Sequence, residues 1–95
     1  MNIELYGESI LAEIDFHEAL IEALNLSPYY GRNLDALWDT LSTDVARPIH
    51  LVWKNADISR VAMGNRFDLI VAILRRVEQQ DIEWGLKDKF RFVID

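Results

Sequence analysis

Apolar and polar positions change period several times along this chain, and each change marks an element. Asn2–Tyr6 alternates, with Ile3 and Leu5 on one side, and predicts a short strand. Phe16, Leu20, Ala23 and Leu24 then recur at the spacing of one helix face. Asp15-Phe16-His17-Glu18 resembles a capping box with Asp in place of Ser or Thr, and should open that helix. Ser27-Pro28 should end it. Tyr29–Arg32 reads as a loop in which Gly31 is free to take a positive φ. Asn33 is a good N-cap, and Leu34–Ser42 follows as a second helix.

Pro48 marks the next boundary. Ile49–Trp53 is a compact apolar run, the pattern of a buried strand. Asp57–Met63 predicts a short helix stopped by Gly64. Phe67–Gln80 predicts a long helix, apolar over more than half its circumference and so the most buried of the set. Residues 81–88 read as a loop holding Trp84 and Gly85. Lys89–Ile94 alternates again, with Phe90, Phe92 and Ile94 on one face, as a last strand.

The order β-α-α-β-α-α-β predicts an α/β fold: a small three-stranded, mainly parallel sheet with right-handed crossovers, its apolar face covered by helices. The 95 residues fit a single domain spanning 1–95, large enough for an ordinary core without disulfides or metals. There is no cysteine, which excludes a disulfide scaffold and cysteine-based zinc or redox chemistry, and fits a reducing cytosol. The N-terminus lacks a basic segment followed by an apolar run, so it does not read as a secretory signal. The longest purely apolar run, Leu69–Leu74, is too short for a bilayer. A cytoplasmic protein with no membrane partner is expected.

Charge divides the chain. Residues 1–45 hold nine acids and one base, a net −8; residues 46–95 hold seven acids and nine bases, a net +2. The acidic half repels nucleic acid and steers toward a basic partner, although a solvated surface that keeps a small protein soluble needs no more than such a block. Placed on a wheel of about 100° per residue, the second helix sharpens the picture. Leu34, Leu37, Trp38 and Leu41 cluster toward the core; Asp35 and Asp39 share a neighbouring sector with Ser42 beside them, and Trp38 lies at the seam. The helix dipole favours Asp35 in the first turn, but not Asp39. Like charges at i and i+4 cost a helix on the order of 0.2–0.5 kcal/mol. With Tyr29, Tyr30 and Trp38 flanking them, the acids form the kind of surface that anchors a protein partner.

Tyr29–Leu41, YYGRNLDALWDTL, resembles the signature of the barstar family, intracellular inhibitors of secreted ribonucleases, and the similarity continues into Ile49–Trp53 and the element order. The resemblance implies a 1:1 protein inhibitor, with no cofactor, no metal and no chemistry of its own. It implies that Asp39 enters a ribonuclease active site in place of a substrate phosphate, paired with arginine and histidine. Asp35 would add a second carboxylate at the rim, and Tyr29, beside Tyr30, would pack on a catalytic histidine. Gly31, Asn33, Trp38 and Ser42 would contact the rim. Two positions depart from the family pattern. The long helix carries Arg75 and Arg76 near where the family offers an acid, with Glu78 on another face, and Asp44 replaces an expected aromatic. These departures bear on which nuclease is the target: a basic guanyl-type ribonuclease, or a different nuclease toxin whose rim matches Arg75, Arg76 or Asp44.

The remaining candidates are weaker. His17 is expected on an exposed helix face and His50 on a strand, too far apart in the sequence to imply a shared site. Asp35 and Asp39 could serve a small metal-dependent enzyme, but two carboxylates on one helix make a poor site without further ligands. Trp53 and Trp84 fit core or loop packing. The glycines are scattered, with no phosphate-binding loop. Arg60, Arg66, Arg75 and Arg76 could meet nucleic acid, against which the net charge of −6 argues.

Overall fold

A computed structural model describes residues 1–95. Its elements are β1 (Asn2–Tyr6), α1 (Glu13–Leu24), α2 (Leu34–Asp39), β2 (Ile49–Lys54), α3 (Ala56–Met63), α4 (Asn65–Glu83) and β3 (Phe90–Ile94). The expected order holds. The three strands lie in the order β1-β2-β3, and both pairings are parallel. Ile3 faces Leu51 and Leu51 faces Phe92, so the inward positions of all three strands line up.

Each strand buries only one side. In β2, Ile49, Leu51 and Trp53 are buried while His50 is exposed, so the apolar run is a one-sided strand and not a fully enclosed one. The outer face carries Asn2, Glu4, Tyr6, His50, Arg91 and Val93. Parallel sheets usually have both faces covered; here the polar choice at alternate positions lets one face meet water. The inner face joins Phe16, Leu20, Leu37, Leu41, Phe67, Ile70, Leu74 and Val77 in one core. Trp53 is its largest member, packed between Phe16 at 5.2 Å and Phe67 at 5.0 Å between ring centroids. Its indole N–H donates to Ser59 Oγ, which donates in turn to the Gly7 carbonyl. A side chain at Gly7 would strike the Asn55 carbonyl oxygen, 1.8 Å from an ideal Cβ, so this strand end accepts only glycine.

Three local expectations change. Helix α1 starts at Glu13, not at Asp15. The Asp15 carboxylate instead reaches back to accept from the Leu11 and Ala12 N–H groups, at 3.0 and 3.1 Å. It satisfies the orphan donors from inside the first turn rather than from the cap position. Helix α1 ends at Leu24, one turn before Ser27-Pro28, with Asn25 left-handed at the C-cap. Helix α4 runs on to Glu83, through a stretch read as loop. The charged Asp81 looks like a terminator, yet it is buried because Arg47 reaches it from far away in sequence, donating from Nε to Oδ2 at 2.7 Å and from Nη2 to Oδ1 at 3.3 Å. The Phe90 N–H also donates to Asp81, at 2.7 Å. Burial pushes the Asp81 carboxyl up, but Arg47 and this N–H outweigh it and hold it below the ordinary range. Trp84 caps α4 and is 64% exposed, so it packs in neither core nor loop.

Candidate functional site

The expected second helix is built in two parts. Asn33 caps it as anticipated: its Oδ1 accepts from the Ala36 N–H at 2.8 Å, and its Nδ2 donates to the Gly31 carbonyl. After Asp39 the chain continues as a π-helical turn, Thr40–Asp44, instead of the regular helix expected to Ser42. The extra residue in that turn is held by hydroxyls. Thr43 Oγ1 donates to the Asp39 carbonyl at 2.7 Å, and Ser42 Oγ donates to the same oxygen. From the other side, Gln80 of α4 donates to the Ser42 carbonyl at 3.3 Å. The carbonyl of Asp39 is thus fixed by its own turn, which orients the residue whose side chain projects outward.

Leu37 and Leu41 are fully buried and Leu34 and Trp38 pack against the core, as the wheel predicts. Asp35 and Asp39 are exposed, and neither carboxylate belongs to any of the salt bridges or side-chain hydrogen bonds of the protein. Asp44 is also exposed and accepts only from its neighbour Thr43. No group of three or more His, Asp or Glu side chains is arranged to hold a metal ion, so the Asp35–Asp39 pair has no third protein ligand.

The two tyrosines separate. Tyr29 is 93% exposed, whereas Tyr30 is 7% exposed and turned inward. Tyr30 therefore shares the loop but turns its ring to the interior, where Tyr29 turns its own outward. Its hydroxyl lies 2.7 Å from His17 Nδ1, and His17 Nε2 lies 2.9 Å from Glu13 Oε2. Glu13 is ion-paired with Arg66 of α4 at 3.1 Å. A carboxylate only accepts, so the proton of a neutral His17 sits on Nε2 and Tyr30 donates to Nδ1. Burial, and after it the Glu13 charge, pushes the Tyr30 phenol well above its ordinary range, so it keeps its proton. His17, expected on an exposed face, is fully buried. The signal was present: position 17 shares a helix face with Leu20 and Leu24.

The rest of the loop is fitted just as closely. The positive φ falls on Arg32, not on Gly31. Arg32 Nε donates to Glu18 at 2.6 Å, and its Nη1 reaches the Tyr30 carbonyl. Gly31 leaves a tight space: a Cβ there would lie 3.1 Å from that of Ala36, which would have to give by a few tenths of an ångström. Between loop and helix lies an open hollow of about 670 Å³, lined by Leu24, Tyr29, Gly31, Ala36, Asp39 and Asp44 among others. Tyr29 gives this hollow an aromatic side, and Asp39 and Asp44 an acidic one.

Helix α4 borders the site. Arg76 lies over Trp38, its guanidinium carbon 3.9 Å from the ring centroid. Arg75 turns away onto Phe92 of β3, at 5.4 Å. Glu78 is committed inward, accepting from the Phe92 N–H at 3.2 Å.

The family model described as Barstar (barnase inhibitor) matches residues 1–95 of this chain. In Bacillus subtilis (strain 168), the protein named "Putative ribonuclease inhibitor YrdF" is 37% identical over 79 residues, covering 83% of this chain and 81% of that protein. The chain belongs to the barstar family.

Proposed function

We propose that this protein inhibits a ribonuclease by covering its active site with α2 and the loop before it. One observation carries the reading: Asp35 and Asp39 stand exposed and unpaired on a rigid, core-anchored helix beside the exposed Tyr29. A ribonuclease cleft gathers positive charge to hold a polyanion, and fixed carboxylates can occupy it with little ordering cost. In this reading Asp39 takes the position of a substrate phosphate and Asp35 pairs at the rim. Tyr29 stacks on a catalytic imidazole, while Trp38, Gly31, Asn33 and Ser42 form the surrounding contact. Tyr30 acts from beneath, holding the loop through His17. Residues 1–95 act as one inhibitor domain in a 1:1 complex, inside the cell and without catalysis.

The relative's printed name and the family description support a ribonuclease target. Asp44 and Arg76 favour a second reading of the target, a nuclease toxin whose rim differs from that of guanyl-specific enzymes, with the same helix in the same cleft. The test is inhibition of barnase, the enzyme in the family's description, by the wild-type protein and by Asp39→Ala. Truncating an aspartate at the centre of such an interface costs 2 kcal/mol or more, the barnase–barstar pair being the known example, so potency should fall by roughly 30-fold or more. Equal potency would remove Asp39 from the mechanism. Association should slow as salt is raised.

A further inference from the structure

We infer that Arg76 is a specificity-determining residue, and that the partner presents a carboxylate beside its basic cleft for Arg76 to grip. The inference rests on the inhibitor reading above and narrows its target.

Five of the ten Lys and Arg residues form salt bridges within the protein, namely Arg32, Arg47, Lys54, Arg60 and Arg66. Arg76 forms none, although it lies over Trp38, which is flanked on its own helix by Asp35 and Asp39. At 3.9 Å its stack is the closest cation–π contact in the molecule, against 5.4 Å for Arg75 and 5.7 Å for Arg60. A guanidinium this close to an indole spends its positive face on the ring and, with no salt bridge or hydrogen bond inside the protein, keeps its N–H donors free for a partner. A carboxylate meets such donors with two parallel hydrogen bonds. Stacking has also ordered the side chain already, so less freedom is lost when a partner arrives.

The occupant follows from the surroundings. A nucleic-acid phosphate approaching Arg76 would also face Asp35 and Asp39, which flank Trp38 on the same helix, and like charge repels it. A protein surface can alternate sign over the same distance, with cations opposite the aspartates and one anion opposite the arginine. The binding face is therefore a mixed pattern. The acids select for any basic cleft, and the arginine discriminates among clefts by their rims, penalising a base at that point through like-charge contact.

The experiment uses barnase and a panel of barnase variants in which each Lys and Arg at the rim of the cleft is changed, one at a time, to Glu. Dissociation constants are measured by calorimetry for the wild-type inhibitor and for Arg76→Gln, Arg76→Glu, Arg75→Gln and Asp39→Ala, each checked for folding by circular dichroism. One rim position should couple to Arg76. There the Glu variant should bind the wild-type inhibitor about tenfold more tightly than barnase itself does. Arg76→Gln should abolish that gain, and Arg76→Glu should reverse it. Arg75→Gln should leave it intact. If no rim position couples to Arg76 by more than twofold while Asp39→Ala still weakens binding, the Arg76 inference is overturned and the inhibitor reading stands. If the wild-type inhibitor binds no member of the panel, the Arg76 inference and the guanyl-type target are overturned together and the toxin-nuclease target remains; if Asp39→Ala binds all of them as tightly as wild type, the inhibitor reading is overturned with the inference.

Discussion

Asp81 and Asp39 sit on two helices that pack together, and they are kept in opposite conditions. Asp81 is fully buried, gripped by two Arg47 nitrogens and by the Phe90 N–H. Asp39 is exposed with no cation of its own. A carboxylate whose partners come from inside the chain supports the fold and has nothing left to offer. One on a core-anchored helix without a partner keeps its charge free, as the proposed inhibitor role of Asp39 requires. The same contrast separates Tyr30, spent on His17, from Tyr29, which touches almost nothing.

The largest effect should come from emptying the inner pair. Asp81→Ala leaves the Arg47 charge without its partner near the core and frees the Phe90 N–H; the loss should be about 3–5 kcal/mol in urea unfolding. Asp39→Ala is its mirror. It should weaken barnase binding strongly but shift unfolding by no more than roughly 0.5 kcal/mol, and by relieving repulsion with Asp35 the shift should be toward stability. Tyr30→Phe strips the donor from buried His17 Nδ1 and should cost about 1–3 kcal/mol of stability. Tyr29→Ala should leave stability unchanged and reduce affinity alone. Should Tyr30→Phe prove neutral in unfolding, the division of labour between the tyrosines would be wrong.

Acid gives the finest discrimination. The folded Asp81 carboxyl is held below its ordinary value of 3.8, so the native state binds fewer protons there than the unfolded chain. Its contribution is full above that value and is lost as pH falls through the folded pKa. Stability measured from pH 5 downward should therefore drop, and Asp81→Asn should flatten that part of the curve. An unchanged slope would show that Asp81 is not the group titrating.

The parts legible in the sequence were those governed by neighbours. Strand alternation, the Asn33 cap and the Leu34–Leu37–Leu41 stripe depend on local period and short-range hydrogen bonds, and all three hold. What escaped depends on distant residues. Asp81 looked like the start of a loop because its cation, Arg47, lies far away in the chain. His17 is a partial case: its spacing from Leu20 and Leu24 marks the buried face, but the Tyr30 hydroxyl that lets a polar ring lie there comes from a loop thirteen residues on. The π-helical turn after Asp39 has no periodic mark, since hydroxyls of Ser42 and Thr43 and the amide of Gln80 maintain it. At the site, Asp35, Asp39 and Trp38 were legible as a cluster. The posture of Arg76 over Trp38 was not, because it needs two helices brought side by side.

The all-parallel sheet sets an order of events during synthesis. Parallel neighbours cannot close through a hairpin, so β1 waits for His50 to meet Asn2, and β2 waits for Phe90 to meet Ile49. Such non-local pairing is slow, and leaves strand edges open while it is incomplete. The acidic helix emerges from the ribosome early, yet Gln80, which braces its turn, and Arg76, which covers its tryptophan, emerge late. A nascent chain thus carries the aspartates well before α4, whose Gln80 and Arg76 brace their helix, has left the ribosome.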